Sequence, residues 1–445
     1  MISSINNGIR GGAYRPDFHM RKFHIISLGC PKNLVDSEVF TALAQQGGYT
    51  YTQDAETAEL IIVNTCGFIN DAKEESIAAI LDAVEYKKDG ACKTLVATGC
   101  LVRRYMAQLR EEIPEVDHFV DLKDFADFAH ILHTTPSTDR ELLTPPHYAY
   151  IRISDGCNNH CSYCAIPDIR GPLISRSITD VVAEAGNLAG RGVKELIVTA
   201  QDTTQFGADS HGKSLLAPLL KQLHDIEGFE WIRLLYLHPA HITSELIDMI
   251  AGLPRVCNYF EIPLQHISQG ILQQMNRHVG QERIKEIYRE IRAKIPDAVM
   301  RTTLIVGYPG ETEEDFAELK QFIQEYPFER LGIFTYSQEE GTVAGACENQ
   351  VDAAIAQQRK DELMQIQIQI STTQLARFVG RRIPVIIDAM GEEYPFEGRS
   401  YFDAPDIDGT VFITNEDAAI GEVVEVEIID SWEYDLVGTI VTPIP

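Results

Sequence analysis

The chain has 445 residues, 44% of them hydrophobic and 23% charged, which is typical of a folded protein with two or three domains. No stretch approaches the roughly 20 apolar residues that cross a bilayer, and the first twenty residues lack the apolar segment of a signal peptide. The net charge of −28 argues against direct nucleic-acid binding and favours basic partners, although acidity can equally serve solubility alone. We therefore expect a flexible lead-in followed by a cytoplasmic protein.

Three strand-like runs in the first third of the chain are each followed by a cysteine and then by a helical pattern. The runs are 23–28, 60–64 and 94–98, and the cysteines are Cys30, Cys66 and Cys100. Strands that alternate with helices predict a parallel sheet, whose strands all end along one edge. We therefore expect the three thiols to converge, with a glycine beside each that lets the backbone approach a bulky group closely.

Three thiolates at one place can hold a cubic iron–sulfur cluster with one iron left open, because such a cluster ordinarily takes four. The alternative is a set of structural cysteines, since free cysteine is often buried. The remaining cysteines outside the motifs, Cys92, Cys257 and Cys347, share no such pattern and are interpreted as structural.

The middle of the chain predicts a βα barrel with fewer than eight units. A domain boundary is expected between 122 and 146, where the segments are short, acidic and contain proline. Helical patterns such as 178–189 and 282–295 separate most of the strand candidates that follow. These candidates are 149–153, 195–199, 231–237, 259–262, 299–306 and 331–336.

A cysteine motif with Cys-x3-Cys-x2-Cys spacing follows the first barrel strand and consists of Cys157, Cys161 and Cys164. Its spacing again leaves one iron of a four-iron cluster open to a ligand. Barrel enzymes place their chemistry on the loops after the strands. The polar groups after the other strands are Gln201-Asp202-Thr203, His238, Gln265-His266 and the run 307–311. Together they outline a polar pocket. We interpret its two histidines as structural residues, with metal ligands or bases as the alternatives.

The C-terminal part predicts a long helix at 351–378 and then a small all-β barrel. The apolar side of the helix carries Ile355, Leu363, Ile366 and Ile370. Strand-like runs follow at 383–387, 410–413, 423–429 and 437–441. From residue 375 to the end, four basic residues stand against fifteen acidic ones, a net charge of −11. An RNA-binding surface should be basic, so this barrel is expected to bind a cationic protein surface.

The cysteine triplet after the first strand of a partial barrel resembles the radical S-adenosylmethionine (SAM) superfamily. The stretch 27–38, with Cys66 and Cys100, resembles the N-terminal domain of methylthiotransferases, and the last segment resembles their TRAM domain. The resemblance implies an α/β protein with an N-terminal parallel αβ sheet domain, a central partial (βα) radical-SAM barrel and a small C-terminal all-β barrel. The implied limits are 21–134, 143–374 and 375–445.

Two branches of that family differ in substrate. One methylthiolates an adenosine in tRNA, and the other methylthiolates the β-carbon of an aspartate in the twelfth small-subunit ribosomal protein. The motif Gly-Cys-Pro-Lys-Asn at 29–33 resembles the ribosomal-protein branch, whereas the tRNA branch usually reads Gly-Cys-Gln-Met-Asn. The segments 165–171 and 262–266 also resemble that branch, and Gln338, where proline is frequent, departs from it.

The resemblance implies two 4Fe-4S clusters, SAM as methyl donor and radical source, and a low-potential electron donor such as flavodoxin or ferredoxin. The implied ligands of the SAM-cleaving cluster are Cys157, Cys161 and Cys164. Those of an auxiliary, sulfur-carrying cluster are Cys30, Cys66 and Cys100. The candidate SAM contacts are Tyr163, Gln201 and Gln265, with a surface aromatic as the alternative for Tyr163.

Two other functions stay open at this point. A tRNA adenosine methylthiotransferase would perform the same chemistry on RNA, and it is distinguished by comparing tRNA and ribosomal protein from a strain that lacks the chain. A non-catalytic iron–sulfur protein that docks on ribosomes through its acidic barrel would not cleave SAM under reducing conditions.

Overall fold

The computed structural model describes residues 21–415 and 418–441. Within them the chain is an α/β protein built from a parallel sheet, a partial barrel and a closed β-barrel, which confirms the predicted fold class. The lead-in expected to be flexible lies outside the described residues, and the domain limits stay predictions. In the described part of the chain, no helix has the length and apolarity needed to cross a membrane.

The N-terminal domain is a five-stranded parallel sheet flanked by helices. Its strands, in the spatial order β2-β1-β3-β4-β5, are β1 (Arg21–Ser27), β2 (Tyr49–Tyr51), β3 (Leu60–Thr65), β4 (Thr94–Gly99) and β5 (His118–Phe119). Its helices are α1 (Pro31–Gln46), α2 (Asn70–Asp89), α3 (Cys100–Glu112) and α4 (Phe125–Ile131). The sequence did not predict β2 and β5, because strands of two or three residues at the sheet edges carry too little pattern.

The register of this sheet brings strand ends together. Thr65, the last residue of β3, lies opposite Gly99, the last residue of β4. Cys66 and Cys100 come next in the chain, so they leave the sheet side by side. Strand β1 runs parallel to β3 on its other side and leads to Cys30. The parallel topology therefore places all three cysteines at one edge.

The central domain contains the six predicted barrel strands and one unpredicted antiparallel pair. Its strands are β6 (Tyr148–Arg152), β7 (Ser154–Asp155), β8 (Ile174–Ser175), β9 (Glu195–Thr199), β10 (Trp231–Leu234), β11 (Tyr259–Glu261), β12 (Val299–Val306) and β13 (Arg330–Thr335). The parallel strands form two sheets, ordered β10-β9-β6 and β11-β12-β13, and β7 pairs with β8. The helices are α5 (Ile166–Arg170), α6 (Ile178–Gly190), α7 (Ala208–His211), α8 (Leu216–His224), α9 (Ser244–Gly252), α10 (Gln269–Gln274), α11 (Gln281–Lys294), α12 (Glu313–Glu325) and α13 (Ala353–Ala376).

Strand β10 is shorter than the predicted run 231–237. Tyr236 has a φ of +61°, which no strand residue adopts and which costs a non-glycine residue about 1–3 kcal/mol. Hydrogen bonds hold it there, since its N–H donates to the Glu261 carboxylate and its carbonyl accepts from the Thr203 N–H at 3.0 Å. The strained residue lies just beyond the carboxyl end of β10, on the side where barrel enzymes carry their chemistry.

Helix α13 confirms the predicted long helix and three of the four residues predicted on its apolar side. Leu363 is fully buried and Ile366 and Ile370 pack partly against the barrel core, whereas Ile355 is 42% exposed. The buried stripe includes polar residues such as Gln367, whose amide donates to a barrel backbone carbonyl at 2.9 Å. An apolar pattern alone could not identify this face because half of it is polar.

The C-terminal domain is a closed barrel with the order β14-β15-β16-β18-β17. Its strands are β14 (Arg382–Met390), β15 (Phe396–Ser400), β16 (Val411–Ile413), β17 (Val423–Ser431) and β18 (Leu436–Ile440). The sequence did not predict β15, because Phe-Glu-Gly-Arg-Ser lacks regular alternation.

The small barrel packs against the amino ends of the partial-barrel strands. Arg399 donates to the carboxylate of Glu195 at 2.6 Å, and the Tyr259 hydroxyl donates to Asp408 at 2.7 Å. Glu195 and Tyr259 are the first residues of β9 and β11. The amino ends are thus covered, and the carboxyl ends carry the cysteine motif and the polar groups predicted to surround it.

Candidate active site

The cysteines Cys30, Cys66 and Cys100 lie together at the carboxyl edge of the N-terminal sheet, and we call them the N-terminal trio. A β-carbon added to Gly29 would lie 2.9 Å from the sulfur of Cys66. One added to Gly67 would lie 3.0 Å from the backbone of Cys100. These glycines were expected to let the backbone approach a cluster, and the structure shows that they let the strand ends approach one another.

Asn33 ties this edge together and is completely buried. Its Nδ2 donates to the carbonyls of Leu28 at 3.1 Å and Thr65 at 2.9 Å. Its Oδ1 accepts from the Arg170 guanidinium at 2.6 Å and from the Cys100 thiol at 3.5 Å. One side chain therefore joins the ends of β1 and β3, a thiol and the barrel domain. This is the structural role of the asparagine in the motif Gly-Cys-Pro-Lys-Asn at 29–33.

The positive charges around the N-terminal trio favour the thiolate form of its cysteines. Burial raises the pKa of the Cys30 thiol, but the nearby Lys32 and Arg170 bring it below its ordinary value. Burial raises the pKa of Cys100 to about 12, against the opposing effect of the same Arg170. Because the thiolate is the form that binds metal, these two cations assist any metal centre formed here.

The cysteines Cys157, Cys161 and Cys164, which we call the barrel trio, lie in the loop beyond β7. The Cys157 N–H donates to the Gly171 carbonyl at 3.1 Å, and the Cys164 N–H donates to the Cys161 carbonyl at 3.0 Å. Burial raises the pKa of Cys164 to about 12, and the neighbouring Cys161 and Cys157 thiols raise it further. All three are partly accessible, so the loop presents a compact set of thiols that a ligand can reach.

Arg277 contacts the barrel trio and was not identified from the sequence. It is only 4% exposed, and its guanidinium donates to the Cys161 sulfur at 3.3 Å and to the Tyr163 hydroxyl at 3.2 Å. A third hydrogen bond runs to the Pro263 carbonyl. Tyr163 is partly buried against an apolar cluster, so it is not the surface aromatic considered as an alternative. Arg277 lies in an irregular segment after α10, where no local pattern marks it.

Two glutamine side chains at strand ends keep free acceptors in the pocket. Gln201 donates its amide to Asp155 at 3.2 Å, and Gln265 has a strained φ of +73°. The Oε1 atom of each is buried without a hydrogen-bond partner in the described part of the chain. Because a buried unpaired acceptor costs about 1–3 kcal/mol, both oxygens are suited to accept from a bound ligand.

Asp202 fixes the barrel trio's loop, and two buried histidines, His238 and His266, each bind the backbone of their own segment. Asp202 accepts from Asn159 at 2.7 Å and from His241 at 3.0 Å. In His238 and His266, Nδ1 accepts from the backbone N–H two residues later, at 3.2 and 3.0 Å. Burial lowers the pKa of His238 to about 2 and that of His266 to about 4, so both rings are neutral near pH 7.

A buried ionic network connects the two trios. Asp36 of α1 lies 3.0 Å from Arg170 and 2.5 Å from Arg152, and both arginines belong to the barrel domain. Arg170 also lies 3.3 Å from Asp155, two residues before Cys157. The segment that follows Cys30 is therefore bound directly to the segment that leads into the barrel trio, and this fixes one trio relative to the other.

The other three cysteines lie apart from both trios. Cys92 and Cys257 are buried within hydrophobic clusters, in agreement with a structural role. Cys347 is partly exposed and its thiol lies 3.5 Å from the Val343 carbonyl.

Three family models match successive parts of the chain. The model described as uncharacterized protein family UPF0004 matches residues 22–121, the radical SAM superfamily matches 151–323 and the TRAM domain matches 379–441. The first covers the N-terminal trio and the second covers the barrel trio. The order of the three parts is the one expected from the sequence.

Curated relatives match the chain over nearly its whole length. The protein named ribosomal protein uS12 methylthiotransferase RimO of Pelobacter propionicus is 44% identical, over 94% of this chain and 98% of that protein. The protein of the same name from Clostridioides difficile is 44% identical, over 95% of this chain and 99% of that protein. Among solved structures, the radical S-adenosylmethionine methyltransferase TsrM from Kitasatospora setae, with cobalamin and a [4Fe-4S] cluster bound, matches with a TM-score of 0.56 at 14% identity. That match covers 73% of this chain and 77% of TsrM, and it supports the fold.

Proposed function

The chain belongs to the RimO family of ribosomal protein uS12 methylthiotransferases, and from this membership we propose that it methylthiolates the β-carbon (C3) of an aspartate in uS12, the twelfth small-subunit ribosomal protein. It is a radical SAM methylthiotransferase that uses an iron–sulfur cluster and SAM. The observation that carries the proposal is the pair of cysteine trios linked by the Asp36–Arg170 contact. One trio would serve SAM cleavage and the other would supply sulfur within the same site.

Each trio fits a four-iron cluster with one open iron, because each gathers three thiols, and all of these except the buried Cys100 are partly accessible. We assign Cys157, Cys161 and Cys164 to the cluster that cleaves SAM. We assign Cys30, Cys66 and Cys100 to the auxiliary cluster. When bound, the first supplies the electron that splits SAM into methionine and the radical that takes hydrogen from the aspartate β-carbon, and the second carries the sulfur that another SAM methylates. A low-potential donor such as flavodoxin or ferredoxin would deliver the electron.

The chain's own groups hold and orient the reactants. Arg277 would keep Cys161 in place through its 3.3 Å hydrogen bond while Tyr163 packs beside it. The unpaired Oε1 atoms of Gln201 and Gln265 would accept from the amino group of SAM. Since all of these groups lie beyond the carboxyl ends of the barrel strands, the aspartate would enter from that end.

The surface charge of the small barrel supports a basic protein as the partner. Three of its aspartates are already paired with arginines. Asp388 pairs with Arg399 of the same barrel, whereas Asp403 and Asp408 pair with Arg330 and Arg301 of the partial barrel. Many acidic side chains remain on its surface, and the exposed ones include Glu392, Glu393, Glu425, Asp430 and Glu433. Such a surface repels phosphate and attracts the cationic surface of a ribosomal protein.

Mass spectrometry of uS12 and of bulk tRNA from a strain lacking this chain tests the substrate. We expect one aspartate of uS12 to lose the mass of a methylthio group while the tRNA adenosines are unchanged. Loss of a methylthio group from tRNA, with uS12 intact, would instead select the nucleoside substrate. A purified, reconstituted protein that forms no 5′-deoxyadenosine under reduction would contradict any radical reaction.

Replacing Cys66 with alanine should separate the two stages. The variant should still form 5′-deoxyadenosine, because the barrel trio is intact, but it should not methylthiolate uS12. Iron should fall from about eight to about four atoms per chain, as one of two four-iron clusters is lost. Anaerobic iron analysis, chromatography of the nucleoside and mass analysis of uS12 measure the three quantities.

The matched control is Cys92→Ala, which removes a buried thiol of the same domain that lies outside the trio. It should keep both the iron content and the methylthiolation of the natural chain. If Cys66→Ala retained full methylthiolation, the assignment of the N-terminal trio would be wrong.

A further inference from the structure

Lys32 is a buried cation in the N-terminal domain that lies over an aromatic ring and near the Cys30 thiol. The residue is 7% exposed, and its Nζ lies 3.4 Å above the centre of the Tyr236 ring. Among the described residues, no carboxylate forms an ion pair with this ammonium. Its charge is influenced by the Tyr236 hydroxyl and the Cys30 thiol, and a carboxylate counter-ion in ion-pair contact is absent from its surroundings in the described part of the chain.

The nearest acidic group on the barrel side is already occupied. Glu261 is buried, accepts the Tyr236 backbone N–H and lies 3.8 Å from the Arg301 guanidinium. Its charge is thus shared with another cation and with a backbone donor. Lys32 consequently keeps hydrogen-bonding and charge capacity for a further anionic group.

The position of Lys32 places this capacity between the two trios. It lies in the first turn of α1, two residues after Cys30. Its aromatic support, Tyr236, follows β10 beyond the carboxyl end of the partial barrel, and the Tyr236 carbonyl accepts from Thr203 in the polar loop after β9. A side chain of one domain therefore reaches over the mouth of the other, where a substrate must lie between the sulfur site and the SAM site.

We propose that the Lys32 ammonium, supported on the Tyr236 ring, binds the side-chain carboxylate of the substrate aspartate and makes the enzyme select aspartate over uncharged residues. This inference rests on the proposed function. A charge-assisted hydrogen bond to a carboxylate supplies the missing counter-charge. It also fixes the β-carbon, which is bonded directly to that carboxylate, so Lys32 acts as a specificity residue and not in the chemical steps.

Peptide binding tests the inference without turnover. The probes are a fluorescent peptide of uS12 around the target aspartate and the same peptide with asparagine at that position. Reconstituted natural protein should bind the aspartate peptide on the order of 30-fold or more tightly than the asparagine peptide, as expected for a buried charge pair. Lys32→Met should bind both peptides equally and weakly, and Lys32→Arg should restore part of the preference. Equal preference in Lys32→Met and the natural protein would overturn the inference.

A second set of measurements separates substrate binding from a role as counter-ion of the auxiliary cluster. Because Arg170 still lies near Cys30 and Cys100, Lys32→Met should keep the natural iron content and the transfer of label from methyl-labelled SAM to the protein. The value of kcat/KM for the aspartate peptide should fall by on the order of 30-fold or more. Loss of iron or of label transfer would assign Lys32 to the cluster and overturn the inference. The control is Lys88→Met, since Lys88 is 55% exposed and pairs with Glu85 on the surface.

Different results would refute the proposed function and the role of Lys32. A natural protein that cleaves SAM but modifies tRNA instead of uS12 would refute the proposed function. A natural protein that methylthiolates the aspartate peptide while Lys32→Met does so equally well would refute only the role of Lys32.

Discussion

Cys161→Ala is expected to abolish 5′-deoxyadenosine formation from SAM under reducing conditions. With one of three thiolates removed, the barrel trio can no longer hold a four-iron cluster with a single open iron. The same change removes the acceptor of the 3.3 Å hydrogen bond from Arg277, so the loop also loses one of its links to the segment after α10. Methylthiolation of uS12 should disappear together with SAM cleavage. Anaerobic turnover with a chemical reductant, followed by chromatography of the nucleoside, measures the effect.

This result is informative because Cys66→Ala should keep 5′-deoxyadenosine formation. Both variants should lose about half of the iron, but only Cys161→Ala should lose SAM cleavage. Cys347→Ala is the control, because Cys347 lies outside both trios and is partly exposed. Persistent 5′-deoxyadenosine formation by Cys161→Ala would show that the radical is made elsewhere.

The sequence predicted the cysteine trios well because simple rules govern their placement. The strands of a parallel sheet end along one edge, so three cysteines at equivalent positions had to meet. The barrel trio needed only its spacing and a preceding strand. In both cases local pattern and topology contain the information, and no long-range side-chain contact had to be known.

The sequence did not reveal the side chains that hold the trios in place. Arg277 and Arg170 are polar residues in irregular or short helical segments, and their partners Cys161 and Asn33 lie more than a hundred residues away in the chain. Hydrogen-bond networks of this kind have no periodicity. The same reason explains the polar buried stripe of α13 and the strained Tyr236, whose backbone is bound by Glu261 of β11 and by the loop after β9.

The two ends of the partial barrel are closed by different domains, and this arrangement limits where a protein substrate can bind. The small barrel covers the amino ends through contacts such as Arg399 to Glu195. The N-terminal domain approaches the carboxyl ends through Asp36 and Lys32. A uS12 segment would therefore reach the thiols from the carboxyl side, while the acidic small barrel could bind other basic parts of the same protein.

Glu195→Ala is expected to cause a large loss of stability without touching the site. Glu195 is completely buried between Arg233 at 2.6 Å and Arg399 at 2.6 Å, and Arg233 is also completely buried. Its removal leaves two buried guanidinium groups without their shared carboxylate. Breaking a buried ion pair from one side typically costs about 3–5 kcal/mol. Urea unfolding followed by the fluorescence of tryptophan, to which the buried Trp231 of β10 contributes, measures the loss.

A matched control and the pH dependence distinguish this network from surface charge. Glu427→Gln removes an exposed partner of Arg382 and should change stability by about 1 kcal/mol or less. Burial raises the pKa of Glu195, but Arg233 and Arg399 lower it below its ordinary value of 4.5. The stabilisation by Glu195 is therefore complete above about pH 4.5 and declines as the pH falls below that value. The natural chain should lose stability more steeply on acidification than Glu195→Ala, and parallel acid unfolding curves would show that this carboxylate does not bind the two domains together.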